Sequence, residues 1–411
     1  MKDKRLFNIF IIVFIDLLGF GLILPLLPFY ADQYDATPLV VGLLTASYAA
    51  AQLIGAPLLG RLSDKFGRRP ILLISIFGTF LGFLIFGIAE PVGEFLAGWM
   101  GYSTNFMILA VLFFSRAMDG FTGGNISVAQ AYITDVTTIE NRAKGLGLVG
   151  AAFGLGFVVG PAMGGVLSGY GFAVPAFAAA GLSALNLLMV ALWLPESLTE
   201  EEREQALSKE KPRFYFGAIW QAFTSHRVGP LLNISFFYGL AFALFTTVFS
   251  LFAQYHLKLD ARQTGYILAY VGLIIALVQG AGVGVLTKRY PEKWLIFIST
   301  IILGISLAGW AFSSSLVALL LIMIPLAITS GILSTVLRSA LTKVVSKDEV
   351  GGTLGLSASL ESLTRVIAPS LGGYLIGSIG TWAPGVTGAL IMEFVIGFTW
   401  MKFIRKPAEM P

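Results

Sequence analysis

The chain contains no cysteine, so it forms no disulfide and offers no thiolate to a metal. Histidine is nearly as scarce. His226 and His256 are the two present, and both fall near expected helix ends, which argues against a histidine metal centre. Charge is thin as well: Asp, Glu, Lys and Arg make up 12% of the residues, against roughly 25% in ordinary soluble domains. Hydrophobic residues fill 56% of the 411 positions. A water-soluble fold of this length could not hide so much apolar surface, so lipid must solvate most of it. No P-loop is present, which argues against ATP-driven work. No nucleophile–base pair or metal constellation marks an intramembrane enzyme. Catalytic and metal-binding residues are therefore expected to be none, and nothing suggests a nucleic-acid partner.

What the chain does have is apolar runs. Met1-Lys-Asp-Lys-Arg leads straight into one that reaches Tyr30. At about 25 residues it is longer than the 7–15 of a signal peptide, and no small-residue cleavage site closes it. At about 20 residues per crossing, the chain holds twelve spans. They fall near 6–30, 39–60, 70–89, 105–133, 145–168, 172–194, 229–255, 264–286, 294–312, 316–342, 351–376 and 384–404. Two uncharged stretches, Gly145–Pro195 and Trp294–Leu337, must each hold two helices. With the N-terminus in the cytoplasm, the cytoplasmic segments carry 3, 4, 2, 5, 3, 2 and 3 Lys and Arg, twenty-two in all. The opposite side carries Lys258 and Arg262. Such asymmetry is the positive-inside pattern. It places both termini in the cytoplasm and requires an even number of spans.

Residues 60–69 read GRLSDKFGRR between two uncharged runs. The charges cannot enter hydrocarbon and fix a loop at the membrane surface. Gly60 and Gly67 bracket it, and glycine allows a tight turn. A second pattern repeats along the chain. Gly160-Pro161-Ala-Met-Gly164-Gly165 in span 5 recurs as Ala368-Pro369-Ser-Leu-Gly372-Gly373 in span 11, 208 residues later. Proline bends a helix, and paired glycines let a neighbouring backbone approach. The longest polar segment, 196–228, contains EEREQ and KEKPR and separates six spans from six. The expected organisation is an N-terminal half over 1–195, a cytoplasmic linker over 196–228 and a C-terminal half over 229–411. The expected fold class is an all-α membrane protein of twelve transmembrane helices in two pseudo-symmetric six-helix halves.

The loop at 60–69 resembles the signature between helices 2 and 3 of the major facilitator superfamily, roughly G-x-L-a-D-r-x-G-r-[RK]. Span 1 carries Asp16-Leu-Leu-Gly19-Phe-Gly21, then Pro25 and Pro28. Span 4 carries Arg116-Ala-Met-Asp119-Gly120-Phe-Thr-Gly123-Gly124. Span 5 carries Gly154-Leu-Gly156-Phe-Val-Val-Gly160-Pro161-Ala-Met-Gly164-Gly165, which resembles the G-x-x-x-G-P-x-x-G-G antiporter element. Leu194-Pro195-Glu196-Ser197 closes the first half. Together these are similar to the twelve-span drug:proton antiporters, closest to the tetracycline-efflux subgroup, over nearly the whole chain. The resemblance implies export of a small lipophilic or amphipathic compound in exchange for protons by alternating access. It implies a bacterial cytoplasmic (inner) membrane, and no cofactor other than the proton as coupling ion. The fold needs no partner chain to form its cavity, so a monomer is expected to function. A proton-independent facilitator or flippase of the same fold is the alternative. Tetracycline pumps carry an acidic residue in helix 3 and another in helix 9. Here Thr79-Phe-Leu-Gly82-Phe83 and Ile301-Ile-Leu-Gly304 carry none.

Charges inside spans are costly and persist where they pair or face a wet cavity. Asp16, Arg116 and Asp119 are expected to form one proton-coupling cluster, because the resemblance brings the span 1 acid near the span 4 arginine. Arg116 and Asp119 stand i, i+3 on one helix face. Glu361 and Arg365 stand i, i+4 in span 11, as a self-neutralised pair or as a second protonation or substrate-cation site. Arg338, late in span 10, reads as an interface anchor rather than a ligand for an anionic substrate. Helices 1, 4, 7 and 10 line the cavity in this fold. They offer Asn125, Gln130, Asn233, Phe237, Tyr238, Phe245, Thr246, Gln254, Ser330 and Ser334. Asp64, Arg68 and Arg69, with Gly60 and Gly67, are expected to act as a cytoplasmic latch, Asp64 stabilising the N-terminus of span 11. Gly156, Gly160, Pro161, Gly164, Gly165 and Pro369 are the expected hinge and packing residues.

Overall fold

Long helices follow from the long uncharged runs, because a backbone without water must satisfy its own hydrogen bonds. The computed structural model of the chain describes residues 2–201, 203, 223–345 and 349–405. Among them every regular element is helical. In chain order these are α1 (Lys2–Ile23, carried on by Leu24–Leu26 and Leu27–Asp32), α2 (Pro38–Phe66), α3 (Arg68–Gly87), α4 (Ala89–Met100), α5 (Thr104–Thr122), α6 (Asn125–Val136) and α7 (Ile139–Leu167). Then come α8 (Ala173–Trp193), α9 (Gly229–His256), α10 (Ala261–Leu277, carried on by a π turn at Val278–Gly282 and by Val283–Arg289), α11 (Glu292–Ala311), α12 (Leu316–Lys343), α13 (Val350–Ser378) and α14 (Ala383–Thr399). Hydroxyl side chains start three of them. Thr37, Ser103 and Ser315 accept the N–H groups of Val40, Phe106 and Ala318, satisfying donors that a helix start leaves open.

Eleven stretches of the described residues are long and apolar enough to cross a bilayer, α5 and α6 together making one. The remaining expected span, 351–376, is α13. Its 29 residues give about 43 Å of helix, and it carries Glu361 and Arg365. Most of the linker expected at 196–228 and the loop at 346–348 lie outside the described residues.

The chain divides into two units. Unit 1 takes Met1–Lys211 with Asp260–Ala269, and unit 2 takes Pro212–Leu259 with Tyr270–Pro411. In unit 1, α1 packs on α7, and α3 on α8. In unit 2, α9 packs on α13, and α11 on α14. First against fifth and third against sixth is thus the pairing in both. The repeated Gly-Pro pattern serves that pairing. A Cβ on Gly160 would lie 2.7 Å from the Cα of Gly21, and one on Gly156 would lie 2.9 Å from the Cβ of Leu17. Gly164 faces the Leu22 carbonyl as closely. In unit 2, Ala368 packs with Ala243 and Leu244, and Gly372 faces Val248. Pro161 and Pro369 both sit inside their helices. Unit 1 also holds the first turns of α10, where a Cβ on Gly165 would lie 3.0 Å from the Cα of Arg262.

Two local features differ from expectation. The turn at 60–69 is made by Gly67 alone, at φ +103°, while α2 runs straight through Gly60 to Phe66. Gly60 lies in open space. Nothing there demands a glycine, because Ser63 accepts the Gly67 N–H at 3.1 Å and carries the helix to the turn. The second is α4, which fills what reads as a loop. At 12 residues it is too short to cross a bilayer, and Pro91, Gly93 and Gly98 disguise it in the sequence. Phe95 and Trp99 stand exposed on it.

Candidate functional site

Three charges meet inside unit 1. Arg116 and Asp119, one turn apart on α5, pair at 2.6 Å with side chains only 4% and 3% exposed. Three rings surround the guanidinium, with Tyr48, Phe83 and Phe86 centred 5.3 to 5.6 Å from its carbon. Such faces attract a desolvated cation. Asp119 also accepts a hydrogen bond from Thr79, and a Cβ on Gly82 would lie 2.8 Å from the Asp119 Cβ. Asp16 on α1 lies within electrostatic range of Asp119 and hydrogen-bonds to Asn125. It lines a small cavity with Asn125, Leu72 and Ala129. The Asn125 Oδ1 is buried and finds no hydrogen-bond partner among the described residues. The site therefore holds two carboxylates, one guanidinium and one unsatisfied acceptor. Sequence reasoning named the three charges. It missed Thr79, Gly82 and the aromatic cage, since nothing in an apolar run says which ring faces which neighbour.

The motif at 60–69 is held by a second network in the same unit. Arg68 donates from one terminal nitrogen to Asp64 Oδ1 and Ser63 Oγ, both at 2.7 Å, and from Nε to Asp135 Oδ2 at 2.9 Å. Asp135 also accepts from the Ser197 hydroxyl at 2.9 Å. The first two N–H groups of α3, on Arg68 and Arg69, are taken by the Glu196 carboxylate at 2.9 and 3.1 Å. The Arg69 guanidinium reaches the Ala191 carbonyl. Glu196 is thus the anionic cap of α3, where both the open donors and the helix dipole favour negative charge. Its position after Leu194-Pro195 was visible in the sequence, but its partner was not. Glu196→Ala is expected to destabilise the start of α3 by about 1–2 kcal/mol, the upper range of a lost cap. Amide exchange at Arg68 and Arg69 would rise with transport-site binding intact. Unchanged exchange there would show that the cap is dispensable.

Unit 2 places its charges differently. Glu361 on α13 bonds Arg365 at 2.7 Å and Arg338 on α12 at 3.1 Å. Neighbouring helices thus bring Arg338, expected as an interface anchor, to the carboxylate of the expected pair. Tyr238 is buried and donates to the Ser330 carbonyl at 3.0 Å. Ser334 accepts from Gln279 of the π turn at 2.8 Å. Asn233 donates to the Gly229 and Phe223 carbonyls, at 2.7 and 3.1 Å. Phe245 is fully buried against Phe249 and Trp310. Phe237 packs on Phe236 and Phe394. Thr246 donates to Ala243, Gln254 is half-buried and Gln130, in unit 1, is exposed.

A family model described as Major Facilitator Superfamily matches residues 9–282 and, in a second match, 231–411. The chain belongs to the major facilitator superfamily. It is a multi-pass membrane transporter of that fold rather than an enzyme. It is 33% identical to the class C tetracycline resistance protein of Escherichia coli, over 87% of this chain and 86% of that one. It is 29% identical to multidrug resistance protein 2 of Bacillus subtilis, over 97% and 95% of the two chains. Among solved structures, the human organic anion transporter MFSD10 matches with a TM-score of 0.69 at 22% identity, covering 97% of this chain and 99% of that one. Thr79 and Gly82 of helix 3, in the stretch that carries no acid, abut Asp119 of span 4.

Proposed function

We propose that this transporter exports a small amphipathic or lipophilic compound in exchange for protons by alternating access, with both termini in the cytoplasm. One observation carries the reading: two carboxylates, Asp16 and Asp119, lie within electrostatic range of each other in the spans of unit 1, with one buried guanidinium nearby that pairs with Asp119. Two carboxylates beside one cation in a dry site are not both comfortably ionised, so the cluster has room for one exchangeable proton. Asn125, with its open acceptor beside Asp16, is where a substrate donor would compete. Tetracycline and multidrug resistance proteins among the relatives fit the same direction of transport. The Asp64–Arg68–Asp135 network serves as the latch, and the Gly156–Gly165 seam as the rigid packing against which it works.

The driving force is sufficient. One proton falling through ~100 mV supplies about 2.3 kcal/mol, and one pH unit supplies about 1.4 more. Together they support a substrate gradient of roughly a few hundred-fold at one proton per cycle.

The test is proton release from purified, detergent-solubilised protein in weak buffer on adding a panel of lipophilic compounds. Release with at least one compound, lost in Asp16→Asn or Asp119→Asn, is the expected result. Binding without release would point instead to a facilitator or flippase and leave the cluster a structural lock.

A further inference from the structure

We infer that Arg338, Glu361 and Arg365 form an anion-binding site, so that the transported compound carries an anionic group beside its apolar body. The inference deepens the transporter reading above by naming the charge of the substrate.

The first argument is charge. Two guanidiniums share one carboxylate, and among the described residues neither pairs with a second. Arginine cannot shed its proton, so the cluster keeps a net positive charge. The second argument is access. The Arg338, Arg365 and Glu361 side chains are 64%, 45% and 40% exposed, unlike the sealed pair in unit 1. Yet Glu361 stands eleven residues in from Val350, about 16 Å along the helix. A net charge open at that depth must face water or a ligand rather than hydrocarbon.

The third argument is unused donors. Glu361 engages one terminal nitrogen of each arginine, Oε1 from Arg365 and Oε2 from Arg338. A guanidinium has five N–H groups in a fork that matches the two oxygens of a carboxylate, or two of a sulfonate or phosphate. As a purely structural lock the triad would be a poor device, since exposed ion pairs contribute little to stability.

The surroundings suit an amphipathic anion. Ser334 lies one turn before Arg338 on the same face of α12, and Gln279 reaches it from the π turn of α10. Single π turns inside helices recur at functional sites, where the wider turn re-aims a side chain. The Tyr238 hydroxyl lies within electrostatic range of both Glu361 and Arg338. Its buried ring stacks on the half-buried ring of Phe242 at 6.0 Å, so an aromatic face flanks the polar cluster.

The experiment compares three probes that share one fluorophore: dansylglycine (anionic), dansylamide (neutral) and dansylcadaverine (cationic). Each is titrated onto the full-length protein in uncharged detergent at neutral pH. Dansylglycine is expected to bind about tenfold or more tighter than dansylcadaverine, or about 1.4 kcal/mol. Arg338→Gln and Arg365→Gln should each erase most of that preference. Glu361→Gln, which removes the one negative charge, should tighten dansylglycine further. Equal affinities in the wild type, a preference for the cation, or a preference that survives both arginine changes would each overturn the inference. Should a glutamine variant fail to fold, Arg338→Lys keeps the charge without the fork and should retain part of the preference; the wild-type ratio decides in any case. Proton release recorded in the same titrations separates the two readings. Release with dansylamide and no advantage for dansylglycine would leave the transporter reading standing and remove the anion site. An anion preference without release from any probe would do the reverse.

Discussion

Asp119→Leu is expected to lower the stability of the folded protein by about 3–5 kcal/mol, the penalty for stranding one member of a buried ion pair. The Arg116 side chain is sealed, with Asp119 its partner at 2.6 Å. Without that carboxylate the guanidinium keeps a charge it cannot shed, beside the faces of Tyr48, Phe83 and Phe86. Three cation–π contacts, each about 0.5–2 kcal/mol, offset part of the loss but already exist in the wild type. The double change Asp119→Leu with Arg116→Met should recover most of the stability, because replacing a whole buried pair by apolar groups is often neutral. Thermal midpoints in one detergent at one scan rate would show this, since such unfolding is usually read as a rate. Equal midpoints for the single and double variants would mean that the pair contributes no coupling. Transport separates the two roles of Asp119. The double variant should be stable yet unable to exchange protons for substrate.

Gly160→Leu is expected to be as damaging, for a steric reason. Its Cβ would stand 2.7 Å from the Cα of Gly21 and 2.8 Å from its carbonyl carbon. Backbone meets backbone there, so no flexible side chain can move aside. Overpacking costs about 1–3 kcal/mol when side chains can give, and α1 and α7 must instead separate. The same helix supplies the control. A Cβ on Gly147 or Gly150 would meet nothing within 4 Å, so Gly147→Ala and Gly150→Ala should be neutral or stabilise by up to about 1 kcal/mol through helix propensity. If Gly160→Leu tracks the two controls in yield, midpoint and transport, the glycine seam is not what holds α1 to α7.

Much of this architecture was legible from hydropathy. Spans such as 70–89 and 294–312 lie close to α3 and α11, because an uncharged run in lipid has no alternative to a helix. The recurrence of Gly160-Pro161 as Ala368-Pro369, each followed by paired glycines, was legible too, and in each unit it packs the fifth span on the first. Less was legible where the outcome depended on a partner. Gly60 and Gly67 look alike in sequence, yet one sits mid-helix and the other turns the chain. Phe237 and Phe245 look alike as well. One packs between Phe236 and Phe394 with part of its surface open, and the other is sealed beneath Trp310. Gln279, a polar residue in an apolar span, was a signal that went unread.

Residence in a membrane, the series of apolar runs and the few charged residues that interrupt them were all readable along the chain. Those properties add up residue by residue along the chain, so composition and spacing suffice. The pairings emerge only on folding: Asp119 with Thr79 as well as Arg116, Glu196 with the start of α3, and Arg338 with Glu361. Each depends on how far one helix is rotated about its axis against another. That rotation is set by the packing of the whole unit, which no local stretch of sequence encodes.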